Sequence, residues 1–143
     1  IEFFLNEKPI ISQVKTYVCA FKKDCKYVLN NIEKLVIKPV NESGGYGILI
    51  GPKASKNDIK KYQQKIRNNP RNFVAQPLIK LSTSPTLIGN KMEPRHLDLR
   101  PFILSGKKTF VTSGGLTRVA MKKNSTIVNS SQGGGSKDTW IIH

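Results

Sequence analysis

Apolar and polar positions change their period several times along the 143 residues. Residues 1–10 begin apolar (IEFFL) and turn polar, reading as the end of a helix or an extended lead-in. Val14 to Ala20 is rich in β-formers and predicts a short strand or an extended entry. From Lys22 to Ile32 the apolar residues Cys25, Val28, Leu29 and Ile32 recur at offsets of three and four, which predicts an amphipathic helix. Leu35 to Ile50 (LVIKPVNESGGYGILI) then places two β-rich apolar runs around Gly44, Gly45 and Gly47, a hairpin with a tight glycine-rich turn. Ser55 with Asp58 three residues on resembles a capping box with Asp in place of Glu. Ile59, Tyr62 and Ile66 form the stripe of the helix that follows, and Asn68, Asn69 and Pro70 stop it. Asn72 to Gln76 predicts a short strand ended by Pro77.

The second half has a different rhythm. LIKLSTSPTLIGNKMEPR (78–95) reads as irregular and as the boundary between two lobes. His96 to Leu104 predicts a strand, Ser105 and Gly106 a turn, and Lys108 to Thr112 the returning strand. Alternation puts His96, Asp98, Arg100 and Phe102 on one face, and Leu97, Leu99, Pro101 and Ile103 on the other, turned toward a core. Gly115 to Met121 predicts another strand, with Leu116, Arg118 and Ala120 sharing a face. After Ser125 to Val128, NSSQGGGSKDTW has no core-forming content and reads as a mobile loop over a site.

Length and composition bound the possibilities. The chain is long enough for a domain with its own core. Because it starts with Ile1 inside an apolar run, we expect a piece of something longer. There is no run of about 18 apolar residues and no signal-peptide layout, so the expected compartment is the cytoplasm, with no membrane partner. Cys19 and Cys25 have no neighbouring histidine, and His96 and His143 are distant in sequence, so reduced thiols are expected rather than a zinc site. A net charge of +15 invites a nucleic-acid partner. Against that, the lysines are scattered and no aromatic ladder accompanies them; a Lys, Asn and Ile bias is what an AT-rich genome writes onto any surface.

The candidate chemistry starts at Lys38, an ammonium inside an apolar strand beside a glycine turn that presents bare N–H groups. One phosphate chain would satisfy both, although a strand lysine also snorkels at sheet edges. No GK[ST] follows the glycines, and GGYG lacks the third glycine of the dinucleotide fingerprint, so neither of those phosphate loops is present. Only His96 has the type of a general base, and beside Asp98 and Arg100 it reads as a hydrogen-bonded structural residue.

In order, the chain shows VIKPV, SGGYG, FVAQP, HLDLRPF, GGLTRVA and VNSSQGGGSKD. Each is short and unspecific alone; their succession, from about Asn6 to Ile142, resembles the ATP-grasp superfamily. The likeness is nearest to the circularly permuted, glutathionylspermidine synthetase-like group, and is more distant to bacterial glutathione synthetase. The resemblance implies an α+β fold of two small lobes, each with an antiparallel sheet and helices, present here in part: residues 1–80 as the lysine and glycine-lid lobe, and 81–143 as an incomplete second lobe. It also implies roles. Lys38 is similar to the lysine bridging the α- and β-phosphates of ATP, and Gly44, Gly45, Tyr46 and Gly47 resemble the lid over them. Gln76, Pro77, Leu78 and Ile79 resemble the adenine-holding hinge, without its usual acid. Asp98 and Arg100 are similar to the pair near ribose and near the phosphates or acyl group, Arg118 to the arginine at the γ-phosphate and acyl-phosphate, and Asn129 with Gly133 to Gly135 to the substrate loop.

The function so implied is the ATP-binding part of a carboxylate–amine ligase acting through an acyl-phosphate, the fragment alone being inactive. Its partners would be ATP, a carboxylate, an amine and the rest of a full-length protein. Magnesium in that family is held by Asp, Glu and Asn on late strands, but only Asp138 follows Arg118, so its ligands are expected outside this segment. Glu93 and Asp98 are the remaining candidates. The alternatives are a silent nucleotide-binding module and a basic nucleic-acid-binding domain using Lys60, Lys61, Lys122 and Lys123.

Overall fold

The computed structural model describes residues 2–42 and 44–140, without the side chains of Phe3 and Gln132. The chain forms two compact units, Ile1–Ile79 and Lys80–His143.

The first unit opens with one helical turn, α1 (Glu2–Leu5). A four-stranded antiparallel sheet follows, made of β1 (Tyr17–Val18), β2 (Leu35–Pro39), β3 (Leu49–Ile50) and β4 (Phe73–Pro77) in the order β1-β4-β2-β3. Helices α2 (Lys22–Asn31) and α3 (Lys56–Asn68) supply the apolar stripes read from the sequence. Val28, Ile32 and Ile66 pack with Cys19, Leu35, Ile37, Leu49, Phe73 and Ala75. Val28, Ile37 and Ile66 are fully buried, each contributing about 1.5–3 kcal/mol of hydrophobic stabilisation. Because successive strand residues face opposite sides, Ile37 and Ala75 face this core while Lys38 and Gln76 fall on the other face of the sheet.

Local signals act where expected, with two refinements. Ser55 caps α3, its Oγ accepting from the Asp58 N–H at 3.1 Å. The shorter Asp side chain does not reach back to the backbone as Glu does; it accepts from the Ser55 hydroxyl at 2.6 Å. The glycine hairpin forms with Val36 opposite Ile50 and Ile37 opposite Leu49, but its turn spans 40–48 and is not tight. Gly44, Gly45 and Gly47 all have positive φ, a conformation that favours glycine.

The second unit is a sheet in the order β5-β6-β7-β8, formed by β5 (Thr83–Ile88), β6 (Lys91–Ser105), β7 (Thr109–Val119) and β8 (Gly135–Lys137). No α-helix occurs among its described residues, contrary to the expectation of helices in both lobes; the second half carries no apolar stripe of helical period. Residues 83–95, read as irregular, are the β5–β6 hairpin turning at Gly89 and Asn90. The prolines suggested a break, but Pro85 lies opposite Pro94, in a part of β6 that precedes its pairing with β7. The two strands expected at 108–112 and 115–121 are one strand, irregular where Phe102 faces residues 112–114. Gly115 fits against Pro101, where an added Cβ would come 3.1 Å from the Arg100 carbonyl oxygen.

Two further expectations are corrected. Leu99 and Ile103 are 58% and 57% exposed rather than turned to a core. Leu99 lies past the end of β5, although β8 still pairs with Thr117 opposite it, and Ile103 lies beyond both β5 and β8; alternation sorted the faces of the β6–β7 ribbon but supplied nothing to cover them. The glycine-rich tail is not loop throughout: Gly135–Lys137 pairs with Thr117–Val119, and Gly134 packs so closely on buried Val128 that a Cβ would meet its carbonyl oxygen at 2.2 Å.

Candidate functional site

Within the first unit, strand register sets Lys38 opposite Val74 and Gln76 opposite Val36, so Lys38 and Gln76 are diagonal neighbours on one face of adjacent strands. Lys38 Nζ donates to Gln76 Oε1 at 2.7 Å, and Gln76 Nε2 donates to Thr16 Oγ1 at 2.8 Å. The half-buried ammonium is thus held by a neutral amide, and among the described residues no carboxylate pairs with it. Thr16 went unnoticed in the sequence, because only the β1–β4 pairing brings it to Gln76. At the hairpin, Tyr62 Oη donates to the Gly47 carbonyl at 3.0 Å and Tyr46 is 61% exposed. Ser43 of the SGGYG motif lies outside the described residues. Pro77 ends β4, and Leu78 and Ile79 continue without regular structure to the end of the unit.

The second unit gathers four predicted residues. Asp98 lies directly opposite Arg118, and Arg100 opposite Leu116, so Asp98, Arg100 and Arg118 share one sheet face. Arg100 Nη2 pairs with Asp98 Oδ2 at 3.0 Å, and Arg118 Nη1 donates to Asn129 Oδ1 at 2.9 Å. On its other side Arg118 faces Ser136 of β8. Two guanidinium groups accompany one carboxylate here, an excess of positive charge suited to planar oxyanions. Asn129 is placed by the packed glycine segment, its carbonyl accepting from the Gly134 N–H at 2.9 Å.

His96 is hydrogen-bonded, its Nδ1 donating to the Leu81 carbonyl at 2.9 Å. Arg95 was not singled out, yet it is 5% exposed, pairs with Glu93 at 2.9 Å and donates to the carbonyls of Met121 and Pro94. Its bond to Met121 ties β6 to the residues after β7.

The described residues do not suit a magnesium site. Glu93 and Asp98 are each engaged by an arginine, and no group of three His, Cys, Asp or Glu side chains occurs among the described residues. A hard divalent cation needs several oxygen ligands together.

The chain is α+β, with one antiparallel sheet in each of its two units. The chain belongs to the circularly permuted ATP-grasp type 2 family, whose model matches residues 1–120. An uncharacterised protein of Synechocystis sp. is 52% identical over 143 residues, covering 99% of this chain and 30% of the relative. One from Mycobacterium tuberculosis is 50% identical, covering 99% and 26%. A Frankia casuarinae protein with the provisional name glutamate–cysteine ligase 2-2 is 45% identical over 141 residues, covering 99% and 16%. The chain thus spans less than a third of the length of these relatives. No described helix is long and apolar enough to cross a membrane.

Proposed function

We propose that this chain is the nucleotide-gripping part of an ATP-dependent carboxylate–amine ligase that works through an acyl-phosphate. The observation that carries the reading is the Asp98, Arg100, Arg118 and Asn129 cluster on one sheet face, in a chain of the ATP-grasp family. Transfer of a γ-phosphoryl group to a carboxylate spreads charge over several oxygens, so what the protein must supply is position and cations. Arg118 meets the transferred group, with Asn129 holding the guanidinium plane. Arg100, turned by Asp98, meets the phosphates or acyl oxygen, while Asp98 stays near the ribose. Lys38, steadied by Gln76, takes the α- and β-phosphates. The Gly44, Gly45, Tyr46 and Gly47 hairpin covers them and excludes water, and Gln76 to Ile79 holds adenine by backbone. Residues 1–79 act as the lysine and lid lobe and 80–143 as the second lobe, with magnesium ligands in the part of the longer protein that this chain does not match.

The Frankia name states its own acid and amine, but the match covers 16% of that protein, so our reading leaves both substrates open. The glutathionylspermidine synthetase-like likeness rests on the motifs alone. The test is ADP release by the full-length protein with and without a carboxylate and an amine. Release that needs both and is lost in Lys38→Ala and Arg118→Ala supports the ligase; release indifferent to these substitutions overturns it. One observation favours a second reading, nucleotide holding without turnover: Glu93 and Asp98, the acids considered for a metal, are each tied to an arginine. Calorimetry showing ATP affinity with no product under any substrate pair would select it.

A further inference from the structure

The helical side of the first unit carries a cavity of about 370 Å³ that the nucleotide reading does not use. Its floor is formed by Cys19, just after β1, with Cys25 and Leu29 of α2; its rim is Lys22 and Lys26 of α2 and Arg67 of α3. Lys22 and Lys26 are one helical turn apart and so project together, as do Cys25 and Leu29. Lys38 and Gln76 lie on the opposite face of the sheet, so this cavity is a separate place.

No acid lines it. The nearest in sequence, Asp24, is not a lining residue, although its Oδ2, accepting from the Val18 N–H at 3.0 Å, is near enough to Cys19 to act on its thiol. The ion pairs found among the described residues are Arg95–Glu93 and Arg100–Asp98, so neither Lys22, Lys26 nor Arg67 has a carboxylate partner. The floor is uncharged: burial foremost, then the neighbouring Cys25 and Asp24 charges, pushes the Cys19 thiol up to about 11. Three unpartnered cations around an apolar, neutral floor, in a volume within the range of small-molecule sites, select for one kind of occupant.

We infer that this cavity binds a small organic anion with an apolar body, its carboxylate, sulfonate or phosphate group held by Lys22, Lys26 and Arg67 and its hydrocarbon part resting on Cys19, Cys25 and Leu29. The half-buried Cys25 offers a local reporter. In the full-length protein, the probe naphthalene-1-sulfonate should slow alkylation of Cys25 by the neutral reagent N-ethylmaleimide in a saturable way, while neutral 1-naphthalenemethanol should not. Replacing Lys26 alone by Gln should weaken the sulfonate roughly three- to tenfold, and the triple Lys22→Gln, Lys26→Gln, Arg67→Gln variant should abolish protection. All three side chains are exposed, so these variants keep the core; should the triple fail to fold, the single Lys26→Gln titration decides. Equal protection by the neutral compound, no saturable protection, or protection unchanged in Lys26→Gln would overturn the inference. Protection lost instead in Lys38→Ala would place the anion on the other face and also overturn it.

Discussion

At the scale of single residues, the environment of each charged or polar group decides what its loss would do. Arg95 is buried and donates to two carbonyls as well as pairing with Glu93. Arg95→Ala would leave those acceptors and the Glu93 carboxylate without it, and should cost about 2–4 kcal/mol in chemical denaturation. Cys19 makes a pH-dependent contribution. Its folded-state pKa of about 11 lies above the ordinary 9.0, so its contribution, at most about 3 kcal/mol, is whole below pH 9 and drains as pH rises toward 11. Denaturation midpoints of wild type and Cys19→Ala should therefore converge over that interval. For Arg118, whose guanidinium is fixed by Asn129, the ligase reading predicts that Arg118→Ala lowers kcat by about 10²–10³ with little loss of fold stability. Lys38 was recognisable in the sequence because a lysine inside an apolar run demands a partner. Its partner Gln76 and the support from Thr16 were not recognisable as a chain, since residues 16, 38 and 76 meet only through strand pairing.

At the scale of elements, periodic stretches were the legible ones. Offsets of three and four located α2 and α3, and Ser55 located the start of α3. Ser55→Ala should cost about 1 kcal/mol, measured by thermal unfolding, because the Asp58 N–H loses its acceptor. Elements built on proline and glycine were misread. Pro85 and Pro94 lie opposite each other in paired strands, and residues 113 and 114, read as a gap between two strands, lie within β7. Close approach can be tested at Gly134. Gly134→Ala brings a Cβ against the Val128 carbonyl and should destabilise the second unit by about 1–3 kcal/mol or more. Gly114→Ala, with open space around it, should be near neutral in the same assay.

At the scale of the whole molecule, a net charge of +15 separates two kinds of anion binding. Loose attraction to DNA through exposed lysines should fall steeply with salt, by about 10³ or more between 50 and 200 mM if many phosphates are contacted. It should also be indifferent to Lys38→Ala and Arg118→Ala, whereas nucleotide affinity should depend on both. Filter binding and calorimetry on the same preparation distinguish the two. From the sequence alone came the helices, the hairpin, the strand carrying Asp98 and Arg100, and the order of motifs that marks the family, because local periodicity and residue order are properties of the chain itself. Tertiary structure alone decided that Arg118 stands across from Asp98, that Gln76 steadies Lys38, that the ribbon around Leu99 and Ile103 lies open, and that three cations ring an apolar floor. Register, covering layers and long-range neighbours depend on how distant segments meet, and no local pattern carries that information.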